Sequence, residues 1–460
     1  MLHAIIIKFP KSTIDEQANV FFLQLVDCLA NDHDYKVRSM VGAVIKLLIG
    51  RISQQSLDPI LEYILSWYMG EKQNLWSAAA QVLGLLVDAL KKGFQGHINN
   101  ILPVTKNILK SAFDVVRDKQ LDYSDEGTIL LWKEAYYSLV MLENMLLQFP
   151  ELHLERDLEE IWEAICEFLL HPHMWLRNIS SRLVALYFAA ASEASRANKE
   201  KSKQQNLLLM KPSTLFGIAV SLCCQLEARL IDDSANNILT QNLVFTICGM
   251  HSLVGQRDCM DLQSFWSSLQ QTEQDHFHLL GSRKGRDMFV SLTSTTKHQG
   301  DQDSIENLQS LLVSPLLKRM GKIALQMEDI QMKIVFNAFR MISSQIGQEG
   351  SQHYAFHLLL PLYKVCEAFA GKVITDDVKQ LAEEVRENIQ RQLGNESFVR
   401  VYNEIRRTLK AKSDKRKQEE KLVVVINPMR NAKRKLRLAA KHSARKKRKI
   451  MSMKLGRWRR

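Results

Sequence analysis

The sequence predicts an all-α fold, a solenoid of stacked helix pairs that ends in a basic, partly disordered tail. Three observations carry that expectation. Of 460 residues 46% are hydrophobic, while 19 Gly and 9 Pro are few for that length, and runs of alternating polarity are rare, so the buried stripes are helical. Six prolines, Pro59, Pro103, Pro150, Pro212, Pro315 and Pro361, stand where an apolar helix is expected to begin, at successive spacings of 44, 47, 62, 103 and 46 residues. A period of about 40–47 residues with two helices per unit is that of HEAT and armadillo-like stacks. The 62 holds a polar insertion, and the 103 reads as roughly two units plus a loose segment.

The third observation is the stretch His171-Pro-His-Met-Trp-Leu-Arg177 running on to Ala190. Pro172 suits a turn or a helix start, and Leu176, Ile179, Leu183, Leu186 and Tyr187 form one helical stripe. Arg177, Ser180, Ser181 and Arg182 lie off that stripe, so one side is expected to be buried and the other not. Such a helix cannot bury its stripe alone and needs neighbours of similar make.

In chain order, Ile14–Ala30 and Tyr35–Ile52 read as the first pair, joined by the polar turn Asn31-Asp-His-Asp34 as a cap. Pro59–Tyr68 and Leu75–Leu90 follow, with Trp76 in the place that Trp175 takes in the later copy. Pro103–Val116 pairs with Thr128–Phe149, Glu151–Leu170 with the helix of His171–Ala190, and Pro212–Leu230 with Asn237–Val254. Asp261–Gln274 is a weaker helix. Ile305–Leu325, Asp329–Ile346, Tyr354–Phe369 and Asp376–Leu393 resume the pattern, and a final helix spans about Ser397–Lys412. The solenoid is thus assigned to 1–412, with loops or disorder near 192–206 and 281–304, and the tail to 413–460. A portion of a solenoid should show exposed apolar stripes at its ends.

No stretch is long and apolar enough for a signal peptide core or a bilayer span, so the expectation is a soluble intracellular chain with no membrane contact. Seven cysteines form no Cys-x-x-Cys pair and sit mostly in apolar helical stretches, as free thiols of a reducing compartment do. The Asn-x-Ser sequons at Asn178 and Asn395 read as chance.

Nothing points to catalysis, a cofactor, a metal or a small-molecule substrate, so the chain is read as a non-enzyme. His171, His173 and Cys166 straddle a helix junction without a fourth ligand in reach, which favours capping and packing. His276 and His278 point apart on a helix. Asp122–Gly127 lacks EF-hand spacing, and Gly281-Ser-Arg-Lys-Gly285 lacks the order of a phosphate loop.

Charge is the strongest functional signal. Residues 421–460 hold sixteen Lys and Arg and no Asp or Glu, whereas residues 1–400 hold 39 basic against 46 acidic, so the net charge of +12 hides a mildly acidic body. A cationic tail on such a body is the footprint of a phosphate-rich partner. Lys433, Arg434 and Lys435, then Arg445, Lys446, Lys447, Arg448 and Lys449, stand at the spacing of a bipartite nuclear import signal, read by an import receptor. Arg437 and Lys441 lie between them. Near the end Trp458, between Arg457 and Arg459, could stack on an unpaired base or pack on protein. The tail's apolar residues are too sparse for a core, so it is expected to be disordered alone or helical against a partner. Import with RNA contact, import alone, and an anionic membrane surface all remain open.

Val424-Val-Ile-Asn-Pro428, Ala432-Lys-Arg-Lys435, Lys441-His442 and Arg445-Lys-Lys-Arg-Lys-Ile450 resemble the tail of small-subunit processome component 20, the family also called down-regulated in metastasis. His171–Arg177 running into Leu183-Val-Ala-Leu-Tyr-Phe188 resembles one of its repeats, and Leu75–Leu86 is a weaker echo. The resemblance implies a C-terminal portion of a much longer scaffold. It implies a nucleolar and nuclear protein of ribosome biogenesis, bound to pre-ribosomal RNA, the box C/D guide RNA and other pre-ribosome assembly proteins, and needed for rRNA processing. The competing reading from the residues is a HEAT-repeat adaptor or transport factor whose tail serves only for import.

Overall fold

The computed structural model describes residues 6–31, 34–117, 129–197, 208–228, 236–254, 305–326, 328–368 and 374–426, and scattered positions from 429 to 447. The predicted features at 122–127, 261–274, 276, 278 and 281–285 lie outside the described residues. Two compact units are formed, Met1–Gln392 and Leu393–Arg460.

The first unit is built from α1 (Lys11–Asn31), α2 (Tyr35–Ile49), α3 (Gln54–Tyr68), α4 (Gln73–Leu90), α5 (Ile98–Arg117), α6 (Trp132–Gln148), α7 (Glu159–Phe168), α8 (Met174–Ala197), α9 (Pro212–Ala228), α10 (Asn236–Val254), α11 (Ile305–Gln326), α12 (Asp329–Gln345), α13 (Gly347–Tyr363) and α14 (Asp376–Leu393). Each odd-numbered helix packs on its even-numbered successor, α1 on α2 through α11 on α12. Odd helices also pack on odd ones along one layer, α7 reaching α9 through the 3-10 turn Leu208–Met210, and α2, α4, α6, α8, α10 and α12 pack in series along the other. The described residues are helical, and the two-layer stack is the predicted solenoid.

The polar insertion opens later than predicted, because Ser192–Ala197 continue α8; Ala191 still buries its side chain there. Across the 103-residue gap between prolines, among the described helices α9 packs directly on α11 and α10 on α12, so the helices on either side of 255–304 are stacked neighbours. The predicted helix Glu151–Leu170 is two 3-10 turns, Pro150–Leu154 and Arg156–Leu158, followed by the short α7.

The prolines mark the odd helices but do not all start them. Pro212 opens α9, whereas Pro59, Pro103, Pro315 and Pro361 lie inside α3, α5, α11 and α13. Pro59 and Pro103 are on exposed faces, where water can replace the hydrogen bond that a proline ring cannot donate. Pro361 instead packs its ring against Gly321, where an added Cβ would come within 3.3 Å of the ring.

Neighbouring repeats are joined by buried polar contacts as well as by the apolar core. Tyr68 at the end of α3 is fully buried, donates to Ser138 Oγ of α6 at 3.0 Å and lies 2.9 Å from Thr105 Oγ1 of α5. Side-chain amides reach from one repeat to carbonyls of the one before: Asn144 to Gly84 O at 3.0 Å, Asn242 to Ser181 O at 2.9 Å, and Gln225 to Leu169 O. Gly84 faces α6 closely: a Cβ there would lie 3.2 Å from Asn144 Nδ2, the amide that bonds the Gly84 carbonyl, and 3.4 Å from the Met141 backbone. At the first repeat Val20, Leu23, Val37 and Met40 are exposed.

Candidate nucleic-acid interface

The second unit is dominated by α15 (Asn395–Ile426). Phe398 and Ile405 are buried, and from Asp414 on every described side chain is exposed. The helix runs past its predicted end at Lys412, and the described residues beyond it, among them Met429, Lys433, Leu436, Arg437, His442 and Lys447, are helical too. Lys, Arg, Ala and Leu are residues that favour helix at such positions at little cost.

Of the predicted tail residues, Lys433, Arg437 and Lys447 are described and exposed. Arg434, Lys435, Lys441, Arg445, Lys446, Arg448, Lys449, Arg457, Trp458 and Arg459 lie outside the described residues. Further cations precede them on α15, with Arg406, Arg407, Lys410, Lys412, Lys415, Arg416 and Lys417 all exposed. Their acidic counterweight is small: Lys417 approaches Asp414 at 3.8 Å one turn away, a contact that water and salt weaken. Leu422, Ile426, Met429 and Leu436 add an apolar element, each more than 60% exposed.

In the first unit, the His171–Arg177 stretch is a buried cap. His171 Nδ1 accepts from the backbone N–H of His173 at 3.0 Å, and His173 Nδ1 accepts from that of Trp175 at 3.2 Å, which occupies donors at the start of α8. Arg177, expected on the exposed side, is 2% exposed. Its guanidinium donates to the carbonyls of His171, at 2.8 Å, and Pro172. Ser180 and Ser181 are buried as well, because α8 is covered by α6 on one side and α10 on the other. Burial, then the charges of His173 and Arg177, push the His171 imidazole down to about 3, so it is neutral at physiological pH. Burial followed by the nearby Glu167 and Glu163 pushes the Cys166 thiol up to about 12. A protonated thiol and a ring nitrogen engaged with backbone do not make metal ligands, and among the described residues no group of three or more His, Cys, Asp or Glu is placed to hold an ion.

Sequence reasoning missed a second cationic surface. Arg38 and Lys46 of α2 and Lys133 of α6 line one groove with Trp132, Tyr137 and Trp175. The available signal was the recurrence of tryptophan in the first turn of α4, α6 and α8, at Trp76, Trp132 and Trp175, of which only the first and last are legible as equivalent.

Residues 354–452, which take in the second part of α13, all of α14 and α15, and most of the basic tail, match the family described as small subunit processome component 20 homolog, C-terminal. The match agrees with the resemblance read from the tail and the His171–Phe188 repeat, to a C-terminal portion of that family. A relative from Schizosaccharomyces pombe, U3 small nucleolar RNA-associated protein 20, is 25% identical over 267 residues, 58% of this chain. Its Saccharomyces cerevisiae namesake is 20% identical over 457 residues, 97% of this chain. The chain spans only 10% and 16% of those two relatives. Among solved structures, one of Kap95p with RanGDP aligns over 82% of this chain and 51% of that one, at 12% identity and a TM-score of 0.30, a likeness too loose to bear on function.

Proposed function

We propose that this chain is a non-catalytic scaffold segment of the small-subunit processome, acting in pre-rRNA processing and small ribosomal subunit assembly in the nucleolus. The solenoid holds assembly factors along its two layers, and the basic helix engages pre-ribosomal RNA or the box C/D guide RNA and also serves an import receptor. The observation that supports the reading is the family match over 354–452, which takes in the exposed cationic helix α15. The electrostatics agree, because each phosphate neutralised by Lys or Arg releases a counterion and makes binding depend on salt.

Affinity of the full chain for single-stranded RNA, measured across a salt series, tests it. If Z tail cations contact phosphate, log K falls against log salt with a slope of about −0.7Z, and deleting 421–460 flattens that slope. An unchanged slope after the deletion would remove the tail from RNA binding. Sequencing RNA crosslinked to the chain in nuclear extract would show whether pre-ribosomal and guide RNA are the species held.

A further inference from the structure

The groove that the proposed scaffold function leaves unused has a volume of about 550 Å³ and is walled by four successive helices of one layer, α2, α4, α6 and α8. That volume is in the range of small-ligand sites. Its cations are Arg38, Lys46 and Lys133, its aromatic rings Trp132, Tyr137 and Trp175, and no carboxylate lines it. Among the described residues none of the three cations is in an ion pair. Lys133 has Glu134 beside it in sequence and feels its charge, but Arg38 and Lys46 face a lining with no carboxylate, and positive charge placed so, in a body that is acidic overall, suits an anion from outside.

The aromatic wall is held rigidly. His173 stacks on Trp132 with ring centroids 3.8 Å apart and planes at 16°, Trp175 meets Trp132 edge-on at 5.4 Å, and Tyr136 supports Trp175 at 5.2 Å. The cap at His171–Arg177 fixes His173 and so fixes Trp132. Lys133 Nζ lies 5.6 Å from the Trp132 ring. Leu131, immediately before, is in the left-handed region at φ 59°, a conformation that a branched-chain residue adopts only when its surroundings impose it. Gly42 and Gln81 also line the groove, and a Cβ at Gly42 would lie 3.1 Å from Gln81 Nε2.

We infer that this groove binds unpaired nucleotides of RNA, with bases against Trp132, Tyr137 and Trp175, phosphates at Arg38 and Lys46, and the Gln81 amide available to a base edge. Rings beside unpaired cations are the combination that single-stranded nucleic acid uses, because every base has a face to stack and every linkage a charge. An acidic peptide would use the cations and leave the rings idle. The inference rests on the reading that the protein is an RNA scaffold but places a contact far along the chain from its basic tail.

The test is photocrosslinking of the full chain to a short oligouridine carrying 4-thiouridine, with the crosslinked peptides mapped by mass spectrometry. Crosslinks are expected on peptides containing Trp132, Tyr137 or Trp175 as well as on the tail. Lys46→Glu, a change at an exposed position that leaves the packing alone, should cut the groove crosslinks about ten-fold while tail crosslinks persist. Crosslinks confined to 421–460 would overturn the groove and leave the tail's role standing, as would groove crosslinks indifferent to Lys46→Glu. Absence of crosslinks anywhere would overturn both.

Discussion

Arg319 of α11 grips Glu227 of α9 with two parallel hydrogen bonds of 2.9 Å, although the residues are 92 apart in sequence. The guanidinium is 2% exposed and also reaches Cys224 Sγ at 3.2 Å. The pair joins the repeats on either side of 255–304, and a fixed fork geometry makes it a register device as much as an attraction. Glu227→Gln strands a buried cation and should destabilise the stack by about 3–5 kcal/mol, whereas replacing both partners with leucine should cost far less. Thermal unfolding of the single and double variants checks this, and hydrogen exchange should show the loss concentrated in α9–α11.

Tyr68 offers a smaller, cleaner case. Tyr68→Phe leaves the Ser138 and Thr105 hydroxyls buried beside a ring edge, with an expected loss of about 1–3 kcal/mol. Denaturation midpoints of the variant and the parent decide it, and equal midpoints would show that the network is neutral.

His171 gives stability a pH dependence. Its imidazole is held down to about 3 in the fold and returns to about 6.5 when unfolded. The unfolded chain therefore binds the extra proton as pH falls below 6.5, and the fold's share is fully present above that value and drains away toward pH 3. The slope from this one group is about 1.4 kcal/mol per pH unit. His171→Asn keeps an acceptor for the His173 N–H and removes the titration, so its melting temperature should fall less than the parent's between pH 6.5 and 4.

The tail's two proposed roles are read by two different measurements. Lys433, Arg437 and Lys447 are exposed on helix, so alanine at all three should reduce the salt slope for RNA by about 2 without affecting the solenoid's melting. Neutralising the clusters at 433–435 and 445–449 together should move a fluorescent fusion out of the nucleus, and an unchanged distribution would take the import signal away from these clusters.

Much of the architecture was legible because helical periodicity is local. The stripes of α1 to α14, the pairing of helices and the break in charge at Lys421 are written in neighbouring residues, and the tail's cations can be counted without any folding. What adjacency in space decides was not legible. Arg177 and Ser180 look like solvent residues until α6 and α10 close over them; Pro59 and Pro103 look like helix starts until exposed faces tolerate them within helices.

Sequence by itself determined that this protein is a stack of helices with a cationic end, since amphipathic period and charge need only near neighbours to be read. Tertiary structure alone decided which polar groups are buried, that α9 and α11 touch across 255–304, and that Arg38, Lys46, Trp132 and Trp175, drawn from three helices, share one groove. The reason is that burial and convergence depend on the packing distance between repeats, a quantity no single repeat contains.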